Sequence, residues 1–534
     1  MSLGTNDPCS PMNRVFGRYI AFMVTLTLGI SLAAQPAIDW QHVYGGSGFD
    51  RAYSIDRTSD GGFIVVGETS STDGDVTGIH GPSNQDAWVI RLDAEGALLW
   101  QRALGGSGWE VGRDVRQTMD GGFIMTGLTN SNDGDVAELV GGQDIWVVKL
   151  DADGTILWEH TYGGSSGESP WALEELANGD LLVAGETTST DVNMQGCSES
   201  SDFWLSRLSA TGELLWSNCF GGSQFDAVRD MAVLPDGSFV LVGWTRSNDG
   251  DVSGLHGSGF PPQPDAWVIK TTIDGEMEWQ TCLGGSDNDA GWAIEATPNG
   301  KIYVASTAIS SDGDVSTQLG GGDYWVARLA DDGTLEMEHS FGGTSGDAPW
   351  GMFCTSASEI LVVGSSVSTD GDVSSSHGST EAWVIKLDEN LELLWERSFG
   401  GSLSDSGRDI HWSEDGVIAL TGSSNSTDGD LTTNYGDNDF WVVKLRPEPV
   451  GINETVLRHF TLSPNPATSE LRIALNGIAA RRMEVVDITG RVVMTKSITR
   501  GAPSVDLSIA QLAQGTYSLR VLGDASYTQR FVKY

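Results

Sequence analysis

Carboxylate side chains recur at fixed places in a unit of roughly 59 residues that returns seven times along the chain. Six units carry Asp-Gly-Asp, the third has Asp191 and Asn193 instead, and a further acid stands two residues before a recurring Trp. Clustered carboxylates suit a hard cation, so we predict calcium as a cofactor. The predicted metal ligands are Asp73, Asp75, Asp86, Asp133, Asp135, Asp144, Asp249, Asp251, Asp265, Asp312, Asp314, Asp323, Asp370, Asp372, Glu381, Asp428, Asp430 and Asp439.

Turn chemistry is the alternative explanation for these acids. Asp and Gly are both turn formers, and Asp caps backbone groups in loops. The spacing also differs from that of the twelve-residue cation loop between two helices. Another acid follows the Gly-Gly pair of every unit, at Asp50, Glu110, Glu168, Asp226, Asp289, Asp347 and Asp405.

A second set of side chains, three positions beyond these acids, could bind a ligand. Aromatic rings stack on sugars or pack on peptides, and Arg is frequent at such contacts. The predicted binding residues are Tyr53, Arg113, Trp171, Arg229, Trp292, Trp350 and Arg408. Ion pairs and aromatic packing between units would give the same residues a structural role, which is the alternative.

The sequence predicts no catalytic residues. His80, His256 and His377 occupy one loop position in three nonadjacent units, which would keep them far apart. Acids are too abundant to single out a general acid and a general base.

The elements that carry these residues are predicted to be β-strands. In the second unit the runs 111–117, 123–128, 145–150 and 156–162 are apolar and are separated by turn residues. Four antiparallel strands repeated seven times predict an all-β fold, a seven-bladed β-propeller. The recurring Trp is expected to pack between blades rather than to contact a ligand. It stands at Trp88, Trp146, Trp204, Trp267, Trp325, Trp383 and Trp441.

The first and last strands of this region are expected to pair. The seventh unit stops at Leu445, before its fourth strand, whereas residues 38–44 read as a lone fourth strand. Pairing them closes the ring and removes exposed sheet edges. The string LDAEGALLW (92–100) resembles the tryptophan-bearing repeat of quinoprotein-like propellers and, loosely, the Asp-box of sialidases. The fuller quinoprotein repeat is missing, so the resemblance implies no quinone cofactor.

The N-terminal segment and the overall charge bear on location and partners. Arg14 and Arg18 precede an apolar run over 20–32 that ends in small residues, the pattern of an export signal. A membrane anchor is the competing interpretation, although the run is short for a bilayer span. The net charge is −43, and residues 457–534 contribute +5, which leaves −48 on the rest. That acidity argues against nucleic acid as a partner.

The last eighty residues have a different composition and read as a small Ig-like β-sandwich, with strand-like runs at 471–475, 483–487, 491–496 and 517–522. LSPNP (462–466), VVDITGRVV (485–493), GTYSLRV (515–521) and the ending FVKY follow one another in order. Together they resemble the C-terminal sorting domain of the type IX secretion system of Bacteroidetes. The resemblance implies the outer-membrane translocon as a partner and delivery to the cell surface or the medium.

The sequence therefore predicts a signal peptide at 1–34, a propeller at 35–446, a linker at 447–456 and a sorting domain at 457–534. No transmembrane segment is expected after removal of the signal. The predicted function is noncatalytic binding of a glycan or a protein. An extracellular hydrolase or lyase acting on polysaccharide is the alternative, because propellers host both classes of function.

Overall fold

The computed structural model describes residues 35–81, 85–446, 461–475, 481–487, 491–499, 502, 504–522 and 526–534. The predicted signal peptide and linker lie outside these residues. The regular elements of the described chain are β-strands, and no described segment forms a helix long and apolar enough to cross a membrane.

Strand β1 (Ile38–Tyr44) is followed by three sheets of four consecutive strands. Sheet 1 contains β2 (Asp50–Arg57), β3 (Phe63–Thr69), β4 (Asp86–Leu92) and β5 (Leu98–Leu104). Sheet 2 contains β6 (Glu110–Gln117), β7 (Phe123–Thr129), β8 (Asp144–Leu150) and β9 (Ile156–Tyr162). Sheet 3 contains β10 (Glu168–Glu175), β11 (Leu181–Thr187), β12 (Asp202–Leu208) and β13 (Leu214–Phe220).

The next three sheets repeat this order. Sheet 4 contains β14 (Asp226–Val233), β15 (Phe239–Thr245), β16 (Asp265–Thr271) and β17 (Met277–Leu283). Sheet 5 contains β18 (Asp289–Ala296), β19 (Ile302–Ala308), β20 (Asp323–Leu329) and β21 (Leu335–Phe341). Sheet 6 contains β22 (Asp347–Cys354), β23 (Ile360–Ser366), β24 (Glu381–Leu387) and β25 (Leu393–Phe399).

Sheet 7 takes its strands from both ends of the repeat region. It contains β26 (Asp405–Trp412), β27 (Ile418–Ser424) and β28 (Asp439–Leu445), and β1 pairs antiparallel with β28 as its fourth strand. The predicted pairing of the two ends is therefore present. The first strands of the seven sheets contact one another in a closed cycle, from β2 through β6, β10, β14, β18, β22 and β26 back to β2. The region is thus a propeller-like repeat of four-stranded sheets, and we call these seven first strands the inner strands.

The core lies between neighbouring sheets. All seven recurring Trp side chains are fully buried, as the packing interpretation requires. Trp88 of sheet 1 meets Phe440 of sheet 7 edge to face, with ring centres 4.5 Å apart. Trp267 of sheet 4 meets Phe203 of sheet 3 in the same way at 4.6 Å. Large aromatic pairs of this kind add to the burial of apolar area that holds adjacent sheets together.

Sheet 3 also carries a disulfide, between Cys197 in the loop before β12 and Cys219 in β13. The sequence placed both cysteines in one unit without predicting that they pair. The bond ties the outermost strand to the loop that departs from the Asp-Gly-Asp pattern.

The C-terminal residues form two further sheets. The first contains β29 (Thr461–Ser463), β30 (Glu470–Ala474) and β33 (Ser504–Ser508). The second contains β31 (Arg482–Val486), β32 (Val492–Ser497), β34 (Gly515–Leu522) and β35 (Ser526–Lys533). Alternate residues of both sheets, such as Leu471 and Ile473 from β30 and Leu519 and Val521 from β34, are buried in one common core.

Candidate functional site

The binding residues predicted from the sequence all lie at a β-bulge in an inner strand. The pairing of each inner strand with its second strand shifts by one residue, as between Ala52 and Ser54, where Tyr53 has no partner in the ladder. A bulge re-aims the side chain of its extra residue. The seven extra residues are Tyr53, Arg113, Trp171, Arg229, Trp292, Trp350 and Arg408, which we call the bulge ring.

The bulge ring lines a single cavity of about 590 Å³. The structure therefore brings together the whole set of residues predicted to bind ligand, although their ligand binding itself stays a prediction. The volume lies within the range of small-molecule and cofactor sites.

Cationic and aromatic side chains alternate around much of the bulge ring. The guanidinium of Arg113 lies between two rings, 4.5 Å from the centre of Tyr53 and 4.6 Å from that of Trp171. The guanidinium of Arg229 lies 4.2 Å from the centre of the same Trp171 and 5.7 Å from that of Trp292. Each such contact contributes roughly 0.5–2 kcal/mol, depending on desolvation.

The remaining side of the ring is formed by two Trp side chains and one Arg. The rings of Trp292 and Trp350 are 4.5 Å apart and tilted by 58°, and the guanidinium of Arg408 lies 4.1 Å from the centre of Trp350. Nε1 of Trp292 donates to Oγ1 of Thr307 at 3.0 Å. Nε1 of Trp350 and Nε1 of Trp171 are buried and have no acceptor among the described residues.

The three arginines of the ring differ in their counter-charges. Arg229 forms an ion pair with Glu186 of the preceding sheet at 3.2 Å. Arg113 and Arg408 form no ion pair with any described residue, and the Nε atoms of both are buried without an acceptor. Ser365 of β23 stands where Glu186 stands in β11, so the sheet before Arg408 offers no carboxylate at this position.

A fourth arginine adds to the unpaired positive charge. Arg51 lines the same cavity and donates to the hydroxyl oxygen of Tyr53 at 3.3 Å, and that hydroxyl donates to Glu68 at 2.8 Å. Burial, followed by the charge of Arg51, lowers the pKa of Arg408 to about 10, and Arg113 acts in the same direction. Sheets 7, 1 and 2 thus bring three guanidinium groups into electrostatic range of one another with Glu68 as the nearby carboxylate.

Three acids one position beyond the bulge also line the cavity, and they were not predicted from the sequence. Repetition across the seven units marks a position, whereas acids occur at this one only in sheets 2, 4 and 7, as Asp114, Asp230 and Asp409. Comparing the residue after the bulge across the seven units would have found them. Each accepts an N–H from the next inner strand at 2.9 Å, from Leu173 to Asp114, from Ile294 to Asp230 and from Ile55 to Asp409.

Burial dominates the electrostatics of this deeper part of the cavity. It raises the pKa of Asp230 to about 8, that of Glu174 to about 7 and that of Asp409 to about 6. The nearest cation is Arg116, which pairs with Asp114 at 2.6 Å. Arg116 also lies 3.6 Å from Glu174, but burial outweighs its charge, so the protonated form is favoured at all three carboxyls.

The predicted metal ligands lie apart from the bulge ring, where the loops of each sheet meet. In sheet 1, Asp73 accepts the N–H of Ser47 at 2.7 Å and Asp75 accepts the N–H of Gly45 at 3.3 Å. The same two contacts recur in the five other sheets with Asp-Gly-Asp. In sheet 3 the equivalent N–H groups donate to Asp191 at 2.8 Å and to Asn193 at 3.4 Å.

Glycine is needed in these loops because of close backbone approach. A Cβ on Gly46 would lie 2.4 Å from the carbonyl oxygen of Asp73. Gly74, between the two acids, has a φ of 67°, the left-handed region that favours glycine. The Gly-Gly pair and the Asp-Gly-Asp string are thus two halves of one turn structure.

The other two acidic positions of the repeat are also bound to loop backbone. Asp50 accepts the N–H of Gly46 at 2.9 Å, and Asp86 accepts both the N–H of His80, at 3.0 Å, and a contact from His80 Nδ1 at 2.7 Å. Within the described part of the chain, no group of three or more His, Cys, Asp or Glu side chains has an arrangement suited to a metal ion. These contacts support the turn-chemistry interpretation, and calcium binding stays a prediction.

Comparison with known families identifies the C-terminal region. Residues 461–534 match the family model described as the secretion system C-terminal sorting domain, which confirms the resemblance inferred from the sequence. This domain marks proteins that the type IX system delivers to the cell surface or the extracellular space. The chain is therefore an exported protein with a propeller-like region ahead of its sorting domain.

The chain is also similar to several other proteins. Regulatory protein FlaEY of Caulobacter vibrioides is 24% identical over 375 residues, which cover 62% of this chain and 38% of that protein. The chain thus spans well under two thirds of that relative. Puromycin hydrolase has 14% identity, a TM-score of 0.43 and coverage of 83% of this chain and 62% of its own. The WD40 domain of Neurospora crassa Pan2 has 10% identity, a TM-score of 0.40 and coverage of 77% and 96%.

Proposed function

We propose that the chain is an exported seven-bladed β-propeller that binds a glycan or a protein without catalysis, through the bulge ring and its cavity. The observation that carries this proposal is the convergence of all seven bulge residues on one cavity. Aromatic faces and a few polar donors in a concave site are what ligand pockets commonly present.

The proposal includes the remaining parts of the chain. Residues 1–34 act as the export signal and 447–456 as a linker. Residues 457–534 form an Ig-like sandwich that the type IX translocon reads. Binding then takes place at the cell surface or in the medium, where a noncatalytic propeller can hold a glycan or a protein partner.

A glycan array with the purified protein tests the proposal. We expect binding to a limited set of glycans, and Trp171→Ala should weaken it at least roughly tenfold, because Arg113 and Arg229 lose the ring that both contact in the cavity. Trp279→Ala is the matched control, since Trp279 lies outside the cavity and donates to the carbonyl of Asp331 at 2.8 Å. Equal losses in both variants, or binding to neither glycans nor peptides, would contradict the proposal.

An extracellular enzyme acting on polysaccharide is the second candidate, and the uneven distribution of acids in the cavity favours it. Catalysis needs an acid and a base in different environments. Burial raises the pKa of Asp230 to about 8 and that of Glu295 well above its ordinary value. At the position of Glu295, sheets 1 and 3 also have an acid, whereas sheets 2, 4, 6 and 7 have Arg, Ala, Phe and His. Release of reducing ends from a polysaccharide panel, abolished by Glu295→Gln, would establish this function instead.

A further inference from the structure

We propose that the cavity selects an acidic saccharide, one whose sugar rings bear carboxylate or sulfate groups. This inference rests on the proposed function and names its class of ligand. Its basis is that three guanidinium groups without an ion-pair partner line the same cavity as three Trp side chains.

The guanidinium groups of Arg113 and Arg408 have no hydrogen-bond acceptor among the described residues, and that of Arg51 has the hydroxyl oxygen of Tyr53 at 3.3 Å. Arg408, Arg51 and Arg113 come from sheets 7, 1 and 2, whose inner strands contact one another in that order. None of the three forms an ion pair with a described residue, and their Nε atoms are buried without an acceptor. Glu68 is the nearby carboxylate, and its described hydrogen bond comes from the hydroxyl of Tyr53. A bound carboxylate or sulfate would supply acceptor oxygens in the planar arrangement that guanidinium groups bind best.

The opposite side of the ring suits a sugar. Trp171, Trp292 and Trp350 line this side. Arg113 and Arg229 already contact the ring of Trp171, so Trp292 and Trp350 are the indoles that can pack on the apolar face of a sugar ring. Nε1 of Trp171 and Nε1 of Trp350 are buried donors without an acceptor among the described residues. The bulge ring thus offers N–H donors to a saccharide rich in oxygen acceptors, whereas the cavity acids Asp114, Asp230 and Asp409 are already engaged by N–H groups of the inner strands.

An acidic peptide fits the same wall less well. Extended peptides usually bind by adding a strand to an open sheet edge. Here the inner strands contact one another around the cavity, and Asp114, Asp230 and Asp409 already accept N–H groups that an added strand would need. The groups of the cavity that remain available to a ligand are therefore side chains rather than backbone N–H groups.

The charge of the rest of the chain gives this arrangement its selectivity. Residues outside the C-terminal region carry a net charge of −48, so the surface as a whole repels anions. An anion is held only where positive charge is concentrated and partly buried, as among Arg51, Arg113 and Arg408. Discrimination of this kind combines a local attraction with a general repulsion.

Isothermal titration calorimetry of the full chain with charged saccharides and their neutral counterparts tests the inference. The probes are a galacturonate tetramer, its fully methyl-esterified form, a sulfated galactose tetramer, a neutral galactose tetramer and a hexaglutamate peptide. We expect the galacturonate or the sulfated tetramer to bind at least roughly tenfold more tightly than its neutral counterpart, since charge-assisted hydrogen bonds to the arginines exist only for the charged form.

Substitution of the arginines sharpens the test. Arg113→Gln combined with Arg408→Gln should remove the preference for the charged tetramer, so that the charged and neutral tetramers bind this variant with affinities within about twofold of each other. Arg207→Gln is the control, because Arg207 lies outside the cavity and pairs with Asp180 at 2.8 Å. Melting temperatures show whether each variant folds. If the double variant does not fold, the comparison of charged with neutral tetramers on the unaltered protein still tests the inference.

The outcomes separate the inference from the function it rests on. Equal affinity for charged and neutral tetramers would overturn the inference and leave glycan binding standing. Tighter binding of hexaglutamate than of every saccharide would overturn it in favour of a protein ligand. Failure of all five probes would overturn the acidic-saccharide inference, whereas the glycan array decides separately whether the cavity binds glycans at all.

Discussion

The seven sheets carry nearly the same residues at their loop ends but different residues where they line the cavity. At the loop ends the seven sheets are nearly identical, and each buried acid of the Asp50 position accepts the N–H of the second glycine of the Gly-Gly pair. In the cavity the bulge position holds Tyr, Trp or Arg, and the next position holds an acid in three sheets only. Features that repeat evenly therefore serve the fold of each sheet, and features that vary create a site that exists once in the molecule.

The largest effect that would test this comparison is the loss of a repeated acid. Asp226 is fully buried and accepts the N–H of Gly222 at 2.8 Å, the hydroxyl of Ser247 at 2.9 Å and the hydroxyl of Thr245. Asp226→Ala leaves three buried donors without their acceptor, which should cost about 4 kcal/mol of unfolding free energy. Urea unfolding followed by Trp fluorescence measures the change.

The control for that change lies in the same sheet. Asp249 is exposed and accepts the N–H of Ser223 at 2.7 Å, so Asp249→Ala should destabilise the protein far less than Asp226→Ala. Similar losses for both variants would mean that the exposed and buried acids act as one network. The division between them would then have to be abandoned.

Removal of the disulfide in sheet 3 tests whether the one sheet without Asp-Gly-Asp depends on a stabilising bond of its own. Cys197 and Cys219 are 22 residues apart, and a loop of that size gives roughly 3 kcal/mol by the chain-entropy estimate. Replacing both cysteines with Ser should lower the unfolding free energy by about that amount. Adding a reductant to the unaltered protein should reproduce the loss, and reductant should leave the double variant unchanged. Unchanged stability in both experiments would show that sheet 3 needs no such link.

Strong local patterns explain how much of the fold could be predicted from the sequence. The strand predicted over 111–117 is β6 (Glu110–Gln117), and the one predicted over 156–162 is β9 (Ile156–Tyr162). Alternation and turn residues fix such elements within one residue, and the missing fourth strand of the last unit predicted the pairing of β1 with β28. In the C-terminal region β29, β33 and β35 were not predicted, because their short or polar runs give a weak periodic signal.

The candidate site was only partly predictable. Counting from the repeated acid located the bulge residues, since every inner strand has the same length. The sequence could not show that Arg113 lies between Tyr53 and Trp171, because neighbours around the ring are some 60 residues apart along the chain. It also could not distinguish Arg229, which has Glu186, from Arg408, which has no carboxylate partner among the described residues.

The difference in counter-charge between Arg229 and Arg408 predicts a change in stability of intermediate size. Arg229→Met leaves Glu186 without its cation in a mostly buried position and should cost about 2 kcal/mol. Arg408→Met loses the contact with Trp350 but also removes a buried charge that has no counter-ion among the described residues, so the loss of stability should be smaller than for Arg229→Met. Thermal unfolding of the two variants side by side measures the difference. A larger loss for Arg408→Met than for Arg229→Met would show that the cation is structural rather than available to a ligand.

The last prediction concerns the pH dependence of stability. Burial raises the pKa of Asp230 to about 8 in the folded protein against 3.8 as its ordinary value, despite the N–H donors of Ile294 and Met231. The folded state therefore binds this proton more tightly than the unfolded chain does, so ionisation removes stability as pH rises from about 4 to about 8. The slope is at most about 1.4 kcal/mol per pH unit.

Asp230→Asn cannot ionise, so its stability relative to the unaltered protein should improve steadily across that range. Asp249→Asn is the control of opposite sign, because hydrogen bonds from Ser223 lower the pKa of Asp249 and its contribution to stability is lost only at acidic pH. Unfolding free energies at a series of pH values from 3 to 8 measure both trends. A difference between Asp230→Asn and the unaltered protein that does not change with pH would mean that Asp230 stays ionised and acts only as a link between inner strands, which would place it with the repeated acids of the loop ends rather than with the variable chemistry of the cavity.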